Sequence, residues 1–514
     1  MTTLQEHTTP NGDILLYSGA PNFKMLDTLA QGAGDVWHSS FEQGLKNTFP
    51  QLMYQTAVHW WYLNDFNDVD TAISWRINPE AFVVRKSVWE LVGGFDAIYD
   101  SKLMSAFAFG INLLRNNGGV PLYVKGLFSD ASLISSHIPK LDQYKFFRKH
   151  FKARHSTYFL LRKYGTKLFS DFKAFQKAKK EVKYKTDYRI IPLRPLQDIE
   201  DKPQVSVIIP TMFRQEYTLQ LLYDYKDQNY PIKEAIVVDA TPQEDRDESL
   251  YENLDLPFQL IVRWQTSKGS CRARNEAIDL CTGDYIVFGD DDIRVPPNFV
   301  ENHIKVLQTY NAKACNGLDI RAEHHEQDLN DLKRLYDNTP KSRKKIGATH
   351  NFSNANSCVN RQEVFKLVGN DINYDGGYGE DGDFGLSLAK QGLVVLHNPK
   401  SINLHLKPPS GGYRWWNSQA LILGKKRKKQ PWEGDYPVKH IVPKPSPTVM
   451  YQKVKHFEPY QIKEYRNKYM FLYLFKGSVF GFLPRLLKLP YKMIQWRKSL
   501  FYAKNLNKLG VRYK

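Results

Sequence analysis

Three consecutive carboxylates, Asp290, Asp291 and Asp292, directly follow the apolar run Tyr285–Phe288, which is typical of a short buried strand. Carboxylates clustered at the C-terminal end of a strand lie where an open α/β sheet binds its ligand. Adjacent carboxylates repel one another unless a cation neutralises them. Hard oxygen ligands suit Mg²⁺ or Mn²⁺, with substrate phosphates completing the shell. The alternative is an acidic turn after a core strand, since Asp is common in turns.

Alternating strand and helix patterns around these carboxylates indicate a parallel, doubly wound sheet. The predicted elements, in chain order, are the strand 205–209, the helix 216–228, the strands 235–238 and 259–263, the helix 271–280 and the strand that leads to Asp290. Since the carboxyl ends of parallel strands meet at one edge, we expect Thr211, Asp239 and Asp290 to lie on the same side of the sheet.

The length and composition describe a globular protein of two or three domains. At 514 residues the chain is too long for one hydrophobic core, and its 42% hydrophobic residues exclude a disordered chain. The four cysteines show no paired or metal-type spacing, which suits core positions in a reducing compartment. The polar stretch Met1–Pro10 predicts no signal peptide, and the lack of a run of about 18 apolar residues predicts no transmembrane helix.

The net charge of +18 is confined to the C-terminal end of the chain. Residues 425–514 carry 22 Lys and Arg against 4 Asp and Glu, which accounts for the whole excess. The basic run 425–429 precedes a stretch, 460–504, in which aromatic and aliphatic residues interleave with Lys and Arg. This composition is typical of interfacial amphipathic helices on an anionic membrane. A solvated basic tail is the alternative.

These patterns divide the chain into four parts. We predict an α/β module at 1–140, a basic helical connector at 141–203, the doubly wound domain at 204–424 and the amphipathic membrane-associating tail at 425–514.

Five short motifs follow one another along the doubly wound domain. They are Val205–Thr211, Ile236–Asp239, Gly269–Asn275, Gly283–Asp292 and Gly376–Phe384. Each motif is weak alone, but the five together resemble family 2 glycosyltransferases with the GT-A fold. The resemblance covers about two fifths of the chain. It implies a Rossmann-like α/β catalytic domain that takes a sugar from a nucleotide donor.

The resemblance implies a nucleotide-sugar site at the strand ends. Thr211 and Asp239 would hold the base and the ribose, because a carboxylate accepts hydrogen bonds from an imide or a hydroxyl group. Arg274 and Asn275 would reach the diphosphate or line the nucleotide pocket. The alternative for the arginines of this helix start, above all Arg272, is an ion pair with a nearby Asp. The further donor-side residues are Pro210, Arg214, Gly269, Asp290 and Asp291.

Asp290 and Asp292 match the Asp-x-Asp motif of the family. The resemblance implies that Asp292 ligates Mg²⁺ or Mn²⁺, while Asp290 contacts the ribose or a metal-bound water. The metal would neutralise the leaving nucleoside diphosphate. His405 stands where the family often has a third metal ligand, with a structural histidine as the alternative.

Glu380 and Asp381 resemble the acidic pair of the family at the start of an acceptor-side helix. Transfer with inversion needs a carboxylate that removes the proton of the acceptor hydroxyl. We assign this role to Asp381 and expect Glu380 to orient the acceptor. Asp383 would support or cap the helix. The alternative is an acidic cluster that the helix dipole favours.

The first module contains a weak repeat of the doubly wound domain. Residues 83–93 resemble 359–369, and residues 109–113 resemble 384–388. Two matches in the same order indicate a duplicated module rather than chance. The positions that correspond to the acidic pair carry no carboxylate. We therefore expect a truncated, non-catalytic glycosyltransferase-like module that serves as a packing partner, a dimer surface or an acceptor clamp.

The turn Lys407–Arg414 follows His405 and is expected to close over the donor, with Arg414 touching the diphosphate. An ordinary loop at the end of a domain is the alternative.

Taken with these patterns, the resemblance implies a metal-dependent inverting glycosyltransferase of surface polysaccharide synthesis. Its partners would be a nucleotide-sugar, with a UDP-sugar as the first expectation, and a saccharide or lipid-linked acceptor. The tail would hold it as a peripheral protein on the cytoplasmic face of the cell membrane. The alternatives are a nucleic-acid-binding protein that uses the tail, or a non-catalytic scaffold. No nucleic-acid motif supports the first alternative, and the intact acidic motifs oppose the second. The donor sugar, the linkage and the oligomeric state, a homo-oligomer included, stay open.

Overall fold

A computed structural model describes residues 4–54, 65–66, 69–129, 133–162, 167–185, 189–266, 269–413, 440–477 and 479–514. The basic run 425–429 and Arg414, both singled out above, lie outside the described residues.

The first module contains a six-stranded sheet in the order β1-β2-β5-β3-β6-β4. Its strands are β1 (Gln5–Thr8), β2 (Ile14–Ser18), β3 (Val36–His38), β4 (Thr71–Ile73), β5 (Phe82–Arg85) and β6 (Pro121–Val124). Its helices are α1 (Phe23–Ala30), α2 (Lys86–Val92) and α3 (Lys102–Asn112). The side chains of Trp37, Trp75 and Phe107 are fully buried, so the module has a hydrophobic core of its own.

Three helices follow in the region predicted to be a connector, namely α4 (Lys140–His150), α5 (Ala153–Leu161) and α6 (Lys167–Glu181). Helix α4 contacts both α5 and α6. The rings of Phe146 and Phe147 on α4 are fully buried, so this region packs as part of the folded protein rather than as an extended linker.

The doubly wound domain contains a nine-stranded sheet in the order β11-β15-β12-β14-β10-β7-β8-β9, with β13 paired to β15. Its strands are β7 (Val205–Thr211), β8 (Glu234–Asp239), β9 (Gln259–Trp264), β10 (Tyr285–Gly289), β11 (Ile293–Arg294), β12 (Ala314–Arg321), β13 (Gly347–Ala348), β14 (Asn356–Asn360) and β15 (Val395–His405). Its helices are α7 (Gln215–Lys226), α8 (Ser270–Leu280), α9 (Phe299–Thr309), α10 (Leu329–Asp337), α11 (Arg361–Lys366) and α12 (Glu380–Lys390).

Strands β10, β7, β8 and β9 are parallel neighbours, which confirms the predicted α/β sheet for this half of the domain. Thr211 pairs with Asp239 in the register of β7 and β8, and β10 ends beside β7 just before Asp290. The expectation that these three residues share one edge is therefore confirmed. The other half is mixed, because β14 runs antiparallel between β10 and β12. The sequence does not reveal this direction, since buried parallel and antiparallel strands have similar apolar runs.

The two sheets share a five-strand arrangement. The order β2-β5-β3-β6-β4 corresponds to β10-β14-β12-β15-β13, strand by strand and in the same chain order. Both contain one parallel pair, β3 with β6 and β12 with β15, flanked by antiparallel pairs. This correspondence extends the sequence repeat to the level of topology. What the first module does stays a prediction.

The C-terminal region is helical and packs onto the doubly wound domain. Its helices are α13 (Pro447–His456), α14 (Pro459–Leu474), α15 (Phe482–Leu487) and α16 (Leu489–Lys508). Trp496, Met450 and Tyr502 are buried in one cluster with Ile372 and Tyr374, which precede α12. Much of the apolar surface that predicted a membrane-facing tail is therefore covered by the protein itself.

Two further expectations concern the cysteines and the membrane. Cys271, Cys281, Cys315 and Cys358 are free and buried, as expected of core positions. Within the described residues, every helix is too short or too polar to cross a lipid bilayer.

Candidate functional site

A cavity of about 420 Å³ lies at the carboxyl ends of β7 and β10. It brings together most of the residues selected from the sequence, and its lining includes Pro210, Arg214, Arg274, Asp290, Asp291, Asp292, Glu380, Asp381 and His405. Thr211, Asp239, Gly269 and Asn275 are not among its lining residues.

Asp291 and Asp292 are held by one guanidinium group. Arg214 Nη1 lies 2.9 Å from Asp291 Oδ1 and 2.8 Å from Asp292 Oδ2. The hydroxyl of Thr211 donates to the other oxygen of Asp291 at 2.9 Å. Burial raises the pKa of Asp291 to about 7, against the opposing charge of Arg214. The repulsion expected between adjacent carboxylates is thus relieved by an internal cation.

His405 bridges two carboxylates. Its Nε2 lies 3.4 Å from Asp292 Oδ1, and its Nδ1 lies 3.0 Å from Asp319 Oδ1. Burial opposes the charged imidazole, but these two carboxylates outweigh it and raise the pKa of His405 well above its usual value. Burial likewise opposes ionisation of Asp292, yet His405 and Arg214 lower its pKa to about 2. Asp292 is therefore an anion at neutral pH.

The carboxylate oxygens of Asp292 are of the type that binds Mn²⁺ or Mg²⁺, and the imidazole of His405 could become a ligand only where a bound metal displaces one of its two protons. Among the described side chains no three His, Cys, Asp or Glu groups surround one ion position. A metal with one or two protein ligands completes its shell with substrate phosphates, so this pair fits a metal that arrives with a diphosphate.

The arginines of α8 form ion pairs with nearby aspartates, which was the alternative to their binding a diphosphate. Arg274 is buried and donates to Asp290. Arg272 lies 3.8 Å from Asp375. Arg274 still lines the cavity, so its guanidinium can face a ligand there as well as Asp290.

Asn275 and Gly269 lie outside the cavity, where their contacts support the packing and the start of α8. Asn275 donates to the carbonyl oxygens of Asn370 and Tyr513, at 2.8 and 2.7 Å, and so connects α8 to the C-terminal end of the chain. A Cβ at Gly269 would lie 2.2 Å from Asp375 Oδ2, so the glycine permits this carboxylate to cap α8. The geometry gives neither residue a contact with a ligand in the cavity.

Asp239 lies at the expected strand end but is closed off from the cavity. Its carboxylate accepts from the backbone of Thr241 at 2.8 Å and from the hydroxyl of Tyr251 at 3.3 Å. Burial raises the pKa of Asp239, which these hydrogen bonds oppose. A nucleotide would have to displace part of this arrangement to reach the carboxylate.

Asp381 and Glu380 also line the cavity, from the first turn of α12. The side-chain amide of Asn354 donates to Asp381 Oδ1 at 2.6 Å. Burial and the charge of Asp290 raise the pKa of Asp381 to about 6, although Arg274 opposes the shift. Asp381 is therefore ionised at neutral pH and close enough to that pH to accept a proton efficiently.

Asn354 tunes this carboxylate, so replacing it with Ala is expected to raise the pKa of Asp381. The amide favours the charged form, and its loss favours the protonated one. If a rate depends on ionised Asp381, the acid limb of its pH profile should therefore move to higher pH, by roughly half to one unit relative to the wild type. A pH–rate profile of the Asn354→Ala variant measures the shift. Asn330→Ala, in exposed α10, should leave the profile where it is, and an unmoved limb in Asn354→Ala contradicts the assignment.

Asp383 anchors the C-terminal helices rather than the cavity. It accepts from Lys455 Nζ at 2.8 Å, from the hydroxyl of Tyr374 at 2.9 Å, and it lies 2.6 Å from His456 Nε2. Burial opposes ionisation of Asp383, but His456 and Lys455 lower its pKa. The helix that carries Asp381 is thus tied directly to α13.

The described part of the turn Lys407–Arg414 lines the cavity beside Arg214. The backbone of Gly412 donates to Met212 at 2.7 Å, and Arg214 donates to the carbonyl of Ser410 at 3.1 Å. The hydroxyl of Tyr413 donates to Gln265 Oε1 at 3.2 Å, just beyond the end of β9. The turn therefore covers the edge of the sheet, and Arg414 lies beyond the described residues.

Four residues that contact the site residues were not found from the sequence, namely Asn354, Asp319, Lys455 and His456. Asp319 lies within strand β12, where a lone acidic residue among apolar ones was a usable signal. Asn354 belongs to a polar stretch before β14 that carries no motif. Lys455 and His456 are more than 70 residues from Asp383, so no local pattern connects them.

Residues 206–366 match the family described as Glycosyl transferase family 2, which confirms the resemblance for this segment. Together with the parallel strands β10, β7, β8 and β9, this match confirms the GT-A type of fold. Over 108 residues the chain is 29% identical to a Bacillus subtilis (strain 168) protein assigned as the teichuronic acid biosynthesis glycosyltransferase TuaG, covering 21% of this chain and 42% of the relative. Over 150 residues it is 27% identical to an Escherichia coli (strain K12) protein assigned as the colanic acid biosynthesis glycosyl transferase WcaA, covering 28% and 53%. The chain spans about half the length of these curated relatives.

Solved structures with detectable likeness include two of low sequence identity. The mannosyltransferase PcManGT from Pyrobaculum calidifontis, in complex with GDP-Man and Mn²⁺, is 19% identical, with a TM-score of 0.34 over 61% of this chain and 90% of that one. S. aureus TarS 1-349 is 12% identical, with a TM-score of 0.35 over 60% of this chain and 93% of that one.

Proposed function

Because residues 206–366 match glycosyl transferase family 2, we propose that the protein transfers a sugar from a nucleotide-sugar to an acceptor hydroxyl with inversion. One observation carries the proposal. One cavity at the strand ends holds the anionic Asp292 beside the imidazole of His405, and the same cavity holds Asp381, whose pKa is raised to about 6. This arrangement separates a site for the leaving diphosphate from a base for the acceptor.

The donor would lie across the ends of β7 and β10. The guanidinium groups of Arg214 and Arg274 line the cavity, and each could exchange a carboxylate partner for phosphate oxygens. Mg²⁺ or Mn²⁺ held by Asp292 and His405 would neutralise the diphosphate as it leaves. Asp290 would accept from the ribose or from water, which is consistent with its partly exposed side chain.

The acceptor would lie on the side of α12. Asp381 removes the proton of the acceptor hydroxyl while that oxygen forms a bond to the anomeric carbon of the sugar. The bond from this carbon to the diphosphate breaks on the opposite face, so the configuration inverts and a nucleoside diphosphate departs. Glu380, buried beside Asp381, would orient the acceptor.

Thermal unfolding with UDP, GDP, dTDP, CMP and ATP, each with and without Mn²⁺, tests the proposal. A ligand that binds the folded state at about 100 times its Kd raises the midpoint by roughly 5–10 °C. We expect one nucleoside diphosphate to do so only with Mn²⁺ and not in the Asp292→Asn variant. Asp255→Asn, which changes an exposed carboxylate, is the control. No shift with any nucleotide overturns the proposal.

The biological setting proposed is the synthesis of a surface polysaccharide with a saccharide or lipid-linked acceptor. The names of the two curated relatives, assigned to teichuronic acid and colanic acid biosynthesis, support this setting.

A cluster of exposed apolar residues supports the proposed association with the cytoplasmic face of the membrane. The side chains of Phe480, Leu487 and Leu483 are 95%, 76% and 63% exposed. Lys476 and Lys488 flank them and are exposed as well. Apolar side chains bordered by cations are typical of insertion into an anionic lipid surface. We call these five residues the C-terminal tip.

Replacing Phe480 and Leu483 with Ser is expected to weaken binding to phosphatidylglycerol vesicles by about 10-fold or more, because each side chain loses its transfer into lipid. Vesicle co-sedimentation measures the change. Leu133→Ser, which alters a side chain that is 80% exposed in the first module, is the matched control. Equal binding of the double variant and the wild type shows that the tip is not the anchor.

A further inference from the structure

A second cavity, of about 600 Å³, opens beside Asp381 between the doubly wound domain and the first module. Its lining shares Asp319, Arg321, Ser353 and Asp381 with the donor-side cavity. The first module contributes residues from the stretch 114–118, beyond the end of α3. We call this cavity the basic groove. A molecule whose hydroxyl lies at Asp381 would extend along it, since the two cavities meet there.

The two modules meet closely along the basic groove. A Cβ at Gly118 would lie 2.2 Å from the carbonyl oxygen of Ile346. Gly347 has a φ of +141°, and a Cβ there would lie 2.7 Å from the backbone of Gly118. Lys345 Nζ donates to the carbonyl oxygen of Arg115 across the same junction. The wall of the groove is therefore formed before any ligand binds, which lowers the cost of ordering it.

The groove carries an excess of positive charge. Its charged lining consists of the cations Arg115, Arg321, Arg343 and Lys345 and the carboxylates Asp319 and Asp381. Asp319 already accepts from His405 and Asn403, and Asp381 accepts from Asn354. The side chain of Arg321 is 78% exposed, and Arg343 is exposed at the same rim. Two guanidinium groups are thus accessible to a ligand in the groove.

We infer that the acceptor is an anionic saccharide, whose carboxylate or phosphate groups bind Arg321, Arg343 and Lys345 while its hydroxyl lies at Asp381. This inference rests on the proposed glycosyl transfer. Guanidinium groups bind both kinds of anion through paired, charge-assisted hydrogen bonds. The polar side chains of Asn116, Ser342, Thr349 and Asn351, which also line the groove, suit the hydroxyl groups of a sugar.

The inference gives the first module a role in acceptor binding, which needs no catalytic carboxylate in that module. Helix α3 has no acidic residue in its first turn, where α12 has Glu380, Asp381 and Asp383. The module instead supplies one wall of the acceptor site through Arg115 and Asn116. Of the roles expected for it, the acceptor clamp is the one that the groove favours.

Calorimetric binding of three tetramers to the full chain tests the inference. The probes are tetragalacturonate, a tetramer of glycerol phosphate and the neutral maltotetraose. The variants are Arg321→Ala and Arg343→Ala. Lys344→Ala is the matched control, because Lys344 lies between two groove residues in sequence while its ammonium group lies 4.2 Å from the ring of Tyr336 and donates to Asp337.

We expect at least one anionic tetramer to bind about 10-fold more tightly than maltotetraose, and the one that does identifies the anion. Each Arg variant should weaken that binding by about 10-fold, as expected for the loss of a charge-assisted hydrogen bond, whereas Lys344→Ala should not. Equal or better binding of maltotetraose, no binding of any tetramer, or an equal loss in Lys344→Ala overturns the inference.

The midpoint shift with nucleotide and Mn²⁺, measured on the same proteins, separates this inference from the proposed function. A nucleotide shift that persists while no anionic tetramer binds overturns the anionic acceptor alone. Absence of the nucleotide shift overturns the glycosyl transfer, whatever the groove binds.

Discussion

The Asp381→Asn variant is expected to lose transfer activity by a factor of about 10²–10⁴, the usual contribution of a general base. The amide preserves the shape of the side chain and its place beside Asn354, but it cannot accept the proton of the acceptor hydroxyl. Donor binding should be nearly unchanged, because the donor side is built on Arg214, Asp290 and Asp292. Release of nucleoside diphosphate in a coupled assay measures turnover.

Two readouts show whether the loss reflects the base. The thermal shift with nucleotide and Mn²⁺ should persist in Asp381→Asn, and its disappearance would show that the residue holds the donor. In the wild type, kcat/KM should fall tenfold per pH unit below about pH 6, because the base acts in its deprotonated form and its pKa lies near 6. A rate independent of pH in this range contradicts the assignment.

Replacing Trp496 with Ala is expected to destabilise the protein by about 3–5 kcal/mol, the usual cost of removing a buried aromatic side chain. Trp496 is 2% exposed, and its ring packs 5.2 Å from that of Tyr465 and 5.5 Å from that of Tyr469. Circular dichroism during heating should show a midpoint lower by on the order of 10 °C. A C-terminal region that merely covered a membrane would show no such change.

Phe501→Ala is the matched control on the same helix, since this ring is 58% exposed. Its midpoint should stay within the range of surface substitutions, roughly ±0.5 kcal/mol in stability. Because Lys455 and His456 bind Asp383 on α12, Trp496→Ala should also lower turnover at temperatures well below its midpoint. Unaltered turnover would show that the C-terminal helices do not support the position of Asp381.

The parallel half of the doubly wound domain could be predicted because its signals are local. The apolar runs that become β7, β8 and β10 are each followed by polar residues, and the helices between them have their own periodicity. A parallel sheet then places Thr211, Asp239 and Asp290 at one edge without further information. The acidic pair Glu380 and Asp381 starts a helix, as its resemblance to the acidic pair of the family implied.

The partners of these residues could not be predicted, because they come from distant parts of the chain. No local pattern shows that Asp239 accepts a hydrogen bond from Tyr251 or that Asn275 donates one to the backbone of Tyr513. Both hydrogen bonds lie outside the cavity. The surroundings of Asp381 are set by Asn354 and the charges of Arg274 and Asp290, each on a different element.

Residue type and spacing along one strand or helix are local properties, so they were enough to select the side chains that can do chemistry. Which of these side chains share a cavity, which carboxylates are ionised and where the basic groove lies became clear only from the folded chain. It also placed Trp496 in a core with Ile372 instead of on a lipid surface. The physical reason is that burial, pKa and the partner of a charge depend on side chains brought together across long separations, and amphipathic helices have the same pattern whether protein or lipid covers them.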